Sequence, residues 1–112
     1  MKIRFESGEP GARVVTLEGD LDFHASPELR RELAKLLEQK APRILIDLKQ
    51  VGYIDSSGLA TFVELFQKMK RYGGKLALFG LNPGVRSVFE IAKLDSIFQL
   101  AGDEREALAL LS

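Results

Sequence analysis

Ile44-Leu45-Ile46-Asp47-Leu48-Lys49-Gln50-Val51-Gly52-Tyr53-Ile54-Asp55-Ser56-Ser57-Gly58-Leu59 is the stretch on which the fold turns. Its first five residues form a short, nearly continuous apolar run, the pattern of a strand buried on both faces. Gly52 marks a turn. Asp55, Ser56, Ser57 and Gly58 are helix-start residues, because short polar side chains satisfy the free backbone N–H groups of a first turn. Leu59, Phe62, Val63, Phe66 and Met69 then recur at helical spacing. Gly73-Gly74 stops that helix, since glycine takes the left-handed C-cap conformation without strain. A buried strand leading through a tight loop into an amphipathic helix is half of a βαβ unit, and such units build parallel sheets by right-handed crossovers.

The flanking sequence repeats the theme. Upstream, Ile3 and Phe5 alternate with charged residues, Gly8-Glu9-Pro10-Gly11 makes a turn, and Val14-Val15-Thr16-Leu17 has the β-branched content of a strand. The two segments read as a β-hairpin. After the loop Gly19 to His24, Ser26-Pro27 opens a helix, serine as cap and proline at its first position. Leu29, Leu33, Leu36 and Leu37 form its apolar face, and Pro42 ends the segment. Downstream, Lys75 to Phe79 is a strand and Asn82-Pro83 starts a helix carrying Val85, Val88, Phe89 and Ala92. Ile97 to Leu100 reads as a short final strand, and Asp103 with Glu106 forms a capping box for a last helix. The order β-β-α-β-α-β-α-β-α predicts one α/β domain over residues 1–112. It should hold a mixed, mostly parallel sheet of about five strands with about four helices packed against it.

Composition narrows the function classes. At 112 residues, with 46% hydrophobic and 29% charged content, the chain can bury a core without metal or disulfide staples. It has no cysteine, which suits a reducing cytoplasm. Sixteen basic residues balance sixteen acidic ones, so neither the basic surplus of a nucleic-acid binder nor a polybasic membrane anchor is present. The alternating start and the lack of a long apolar run predict a soluble cytoplasmic protein without a signal peptide or membrane span. A partner must be chosen by a local surface rather than by bulk charge.

In an open α/β sheet, ligands and partners meet the loops at the carboxyl ends of the strands. Here these are Gly19 to His24, Gly52 to Gly58 and Gly80 to Pro83. The middle loop puts an acid, two hydroxyls and a glycine at a helix start, where N–H groups and the dipole favour an anion. A phosphoserine there would carry a charge of about −1.5 to −2 and find those donors aimed at it. Gly58 would let another backbone approach closely. By themselves the same residues also suit plain capping.

With the residues around them, they do more. Leu17-Glu18-Gly19-Asp20-Leu21-Asp22, Ile44 to Leu48, Val51, Ile54-Asp55-Ser56-Ser57-Gly58-Leu59, Gly73-Gly74-Lys75-Leu76 and the helix from Pro83 to Phe89 together resemble the stand-alone anti-sigma-factor antagonists of the STAS domain family. The resemblance spans nearly the whole chain. It implies a binding module that is not an enzyme and holds no cofactor or metal. Its unmodified form would bind an anti-sigma factor that is also a serine kinase, freeing the sigma factor. ATP-dependent phosphorylation of the first serine, here Ser56, would release the complex, and a metal-dependent phosphatase would reset it. The implied switch neighbourhood is Asp20, Asp22, Asp55, Ser57, Gly58 and Leu59, with Ser57 remaining a second candidate for modification. The family's usual glycine after Leu59 is Ala60 in this chain, one methyl more beside that surface.

Rival readings have less behind them. The fold could serve as a scaffold docking on a transporter or a stress-signalling complex without any sigma factor. A hydrolase would need His24, the only histidine, to reach Ser56, and no Gly-x-Ser-x-Gly elbow is present. No P-loop supports a nucleotide hydrolase. Asp20 and Asp22 without a histidine partner make a thin metal site. Leu65 and Tyr72 lie beside the apolar stripe of the second helix, either as an exposed fringe or, the better reading, covered by a neighbouring helix.

Overall fold

Lys2–Ser7 (β1) and Ala12–Glu18 (β2) lead into alternating helices and strands: Ser26–Glu38 (α1), Arg43–Gln50 (β3), Ser56–Lys70 (α2), Lys75–Phe79 (β4), Pro83–Ile91 (α3), Gln99–Ala101 (β5) and Glu104–Leu110 (α4). The structure, a computed structural model, describes residues 1–7 and 11–111. Gly8, Glu9 and Pro10 of the predicted turn lie outside the described residues. The sheet order is β1-β2-β3-β4-β5. β1 pairs antiparallel with β2, and every later pairing is parallel. This is the mixed, mostly parallel sheet the element order predicts.

Strand side chains alternate between faces, so one sheet feeds two apolar layers. Val15, Leu17, Ile44, Ile46, Leu48, Leu76 and Leu78 pack with Leu29 and Leu33 of α1, Phe62 and Leu65 of α2, and Val85 and Phe89 of α3. Val14, Leu45, Ala77 and Phe79 face the other way, against Ala107 and Leu111 at α4. The central run Ile44 to Leu48 is buried throughout because helices cover both of its sides. Leu65 is buried and Tyr72 half-buried, its hydroxyl donating to the Ala41 carbonyl at 2.9 Å. α1 packing on α2 covers this flank, so it is not a fringe.

Two local expectations are corrected. Ser26 does not cap α1: Ala25 stands at the N-cap with no side-chain cap bond, and the buried Ser26 hydroxyl donates to the Asp22 carbonyl at 2.8 Å. Asp22 organises the turn instead, its Oδ1 accepting from the His24 and Ala25 amides, each at 3.0 Å. The last strand begins at Gln99, not Ile97. Ile97 and Phe98 turn back, their amides donating to the Leu94 carbonyl at 3.0 and 2.9 Å. Phe98 thereby joins an aromatic stack, edge-on to Phe66 and Phe89 at 5.6 and 5.8 Å.

Candidate functional site

The three loops at the carboxyl ends of the strands are knitted into one surface. The Gly19 amide donates to the Gln50 carbonyl at 3.0 Å, and the Leu21 amide to the Tyr53 carbonyl at 2.9 Å. The Asp55 amide returns a bond to the Leu21 carbonyl at 3.2 Å, so Leu21 and Ile54 form an isolated parallel bridge. From the third loop, Asn82 caps α3 by accepting from the Val85 amide at 2.7 Å, while its Nδ2 donates to the Val51 carbonyl at 3.2 Å.

Asp55 is the joint between the first two loops. It has extended backbone at the N-cap of α2. Its Oδ1 accepts from the Ser57 and Gly58 amides at 2.9 and 3.1 Å, and its Oδ2 from the Phe23 amide at 3.1 Å. One carboxylate therefore caps the helix and clamps the neighbouring loop. This has a consequence for an anion at the helix start. The Ser57 and Gly58 amides, expected to receive a phosphate, are already occupied by Asp55. Those two amides are not free for a phosphate on this turn, which would stand beside that carboxylate.

Ser56, the first residue of α2, is exposed, and its hydroxyl has no hydrogen-bond partner among the described residues. Ser57 is half-buried, and its carbonyl accepts from the Thr61 hydroxyl at 2.9 Å. Gly58 and Leu59 are buried. The backbone that Gly58 admits is the chain's own: a Cβ there would lie 2.8 Å from the Leu21 carbonyl oxygen and 2.7 Å from an Ile54 methylene. Asp20 is exposed and reaches over Gly52, while Asp22 is half-buried and engaged in the turn before α1. Ala60 is exposed on the second turn of α2.

Two site residues escape a reading based on polarity. Phe23 and Tyr53, in the two loops that Asp55 joins, keep 64% and 53% of their surface exposed. Large aromatics left in water beside a polar loop are the composition of a protein-contact surface. Their signal was present in the sequence, an aromatic in each of two polar loops, but only the folded loops show them uncovered. His24 stacks on Phe23, ring centroids 4.3 Å apart, and makes no hydrogen bond to either serine among the described residues. The geometry thus assembles no Ser-His-Asp relay. Among the described residues there is no group of three or more His, Asp or Glu side chains able to hold a metal ion, and no helix long and apolar enough to cross a membrane.

Comparisons with known proteins agree with this geometry. The model of the STAS domain matches residues 7–107. The anti-sigma-B factor antagonist of Bacillus subtilis is 38% identical over 87 residues, covering 78% of this chain and 79% of that protein. The crystal structure of an anti-sigma factor antagonist from Mycobacterium paratuberculosis superimposes with a TM-score of 0.90 at 24% identity, covering 98% of this chain and 92% of the other. The Bacillus cell-fate determinant SpoIIAA in its phosphorylated form gives a TM-score of 0.77 at 23% identity, covering 99% and 100%. At those identities the two structures speak for the fold alone. The family follows from the domain match and the Bacillus subtilis relative: the chain belongs to the STAS domain family, and anti-sigma-factor antagonists are among its relatives there.

Proposed function

We propose that this protein is a cytoplasmic anti-sigma-factor antagonist whose complex is switched by phosphorylation of Ser56. Its unmodified form binds an anti-sigma factor that is also a serine kinase, and a metal-dependent serine phosphatase reverses the modification. The observation that carries the reading is the placement of Ser56: exposed, its hydroxyl without a partner among the described residues, next to the Asp55 clamp that joins the loops bearing the exposed Phe23 and Tyr53. A kinase can reach that hydroxyl without unfolding the helix, whereas Ser57 is half-covered.

The switch is electrostatic. On the free protein a phosphate at Ser56 remains hydrated, so it costs the fold little. In a complex that covers Phe23 and Tyr53 it would be stripped of water beside the carboxylates of Asp55 and Asp20. Burying an uncompensated charge costs several kcal/mol, and about 1.4 kcal/mol is a tenfold loss of affinity. One phosphate is therefore enough to dissociate the complex.

The test combines the purified protein with its candidate kinase and ATP. One phosphate should appear on Ser56 by mass spectrometry, with loss of the complex. Ser56→Ala should bind without release, and Ser56→Asp should bind poorly. Equal binding by the unmodified protein and both variants would remove the switch.

A further inference from the structure

A second surface lies at the other end of the sheet. α2 carries the chain about 20 Å away from Ser56 at 1.5 Å per residue, to the amino end of β4. There β5 pairs only with Ala77, Leu78 and Phe79, so Lys75 and Leu76 have no strand on that side. Two adjoining cavities, about 340 and 210 Å³, open at this gap and share Phe66 and Ile97 in their walls. Ile97 is half exposed and Leu110 is 41% exposed. The turn that holds Ile97 is made by the two amide bonds to the Leu94 carbonyl. Among the described residues, the only charged ones lining the cavities are Lys70 and Lys75. Lys70 holds its ammonium 5.9 Å from the centre of the Phe66 ring. Neither lysine makes an ion pair among the described residues.

We propose that this groove docks an acidic amphipathic segment of a partner protein, with apolar side chains against Ile97 and Phe66 and carboxylates facing Lys70 and Lys75. Charge complementarity selects the occupant: an apolar floor rimmed by two lysines, with no ion pair to either and no lining carboxylate among the described residues, attracts acidic flanks and repels basic ones. A second copy of this chain would have to bring the same two lysines to the contact if the groove packed on itself. The site is separate from the Ser56 loops, so an antagonist could be tethered there in either phosphorylation state.

The test titrates the protein with a synthetic helical peptide bearing leucines on one face and glutamates beside them, and with a twin in which lysines replace the glutamates. Amide NMR shifts locate the binding, and fluorescence anisotropy measures it. The glutamate peptide should bind about fivefold more tightly or better, as expected for two exposed charge contacts. Shifts should fall on residues 66–76, 94–99 and 110–111. The double variant Lys70→Glu, Lys75→Glu should invert the preference, and Ile97→Ser should weaken both peptides. Ser56→Asp should leave the affinity unchanged, which separates this site from the switch. Equal affinity for the two peptides, or shifts confined to residues 20–24 and 53–57, would overturn the proposal. So would a dimer by sedimentation whose contact occupies the groove.

Discussion

Replacing Gly58 by alanine sets two effects of opposite sign against each other. Alanine is a better helix former than glycine by up to about 1 kcal/mol, so a reading of α2 alone expects stabilisation. The packing says otherwise. The added Cβ would sit 2.7 Å from Ile54 Cγ1, 2.8 Å from Leu21 Cγ and 2.8 Å from the Leu21 carbonyl oxygen. Ile54 and Leu21 are buried, and the Leu21 backbone is held on both sides by bonds to Tyr53 and Asp55. Relief requires α2 to retreat or that bridge to open. Overpacking costs about 1–3 kcal/mol, and a weakened bridge hydrogen bond adds about 1 kcal/mol. The net expectation is a loss of about 2 kcal/mol, or about 8 °C in Tm for a domain near this size. Urea and thermal unfolding, each followed by circular dichroism, measure it. Gly84→Ala is the control, because its Cβ would meet nothing closer than Asn82 Oδ1 at 3.4 Å; it should be neutral or mildly stabilising. A Gly58→Ala protein as stable as the parent would refute the claim that close approach of α2 to Leu21 holds the site together.

Further outcomes follow from single contacts. Asp55→Asn leaves one oxygen to serve three amides; asparagine still caps α2, so the loss falls on the Phe23 bond, stability should fall by about 1 kcal/mol, and Phe23 amide exchange should accelerate, whereas unchanged exchange at Phe23 would deny the clamp. Phe23→Ala and Tyr53→Ala should each weaken the kinase complex at least about tenfold if they are buried anchors while leaving unfolding midpoints alone, as calorimetric titration and melting will show. Lys68, hydrogen-bonded to Glu64, and Arg30 beside it hold that carboxyl below its ordinary value of 4.5. The stability this supplies is present above about pH 4.5 and lost as pH falls through the lower folded value; Glu64→Gln should cost about 0.5 kcal/mol at pH 7 for such a solvent-screened cluster, and in urea titrations the cost should shrink as pH falls below 4.5. Burial pushes the Tyr72 hydroxyl above 10.0, so its contribution is complete below pH 10 and lost as pH rises through the folded value. Tyr72→Phe should lower stability by about 1 kcal/mol at pH 7 and flatten the alkaline decline, read by the same unfolding assay.

Much of the architecture was legible because it is local. Period-two and helical spacings, Asn82-Pro83 before α3, Asp103 three residues before Glu106 and the paired glycines after α2 each act within a few residues. The misplacements occur where a distant partner decides. Ser26 looks like a cap, but Asp22 reaches the same turn first. Ile97 and Phe98 look like strand, but Phe98 packs its ring edge-on against both Phe66 and Phe89.

The candidate site divides the same way. Residue order alone placed Asp55, Ser56, Ser57 and Gly58 at the start of a helix after a buried strand, because capping chemistry and apolar periodicity are short-range. Tertiary structure decided the rest: that Asp55 clamps the Phe23 loop while occupying the Ser57 and Gly58 amides, that Gly58 faces Leu21 rather than a partner, and that Phe23 and Tyr53 stand uncovered in the two joined loops. Each depends on how residues 19–25 meet residues 51–58, a contact between segments about thirty residues apart. Which surface remains for a partner is whatever that contact leaves in water, and no local pattern encodes it.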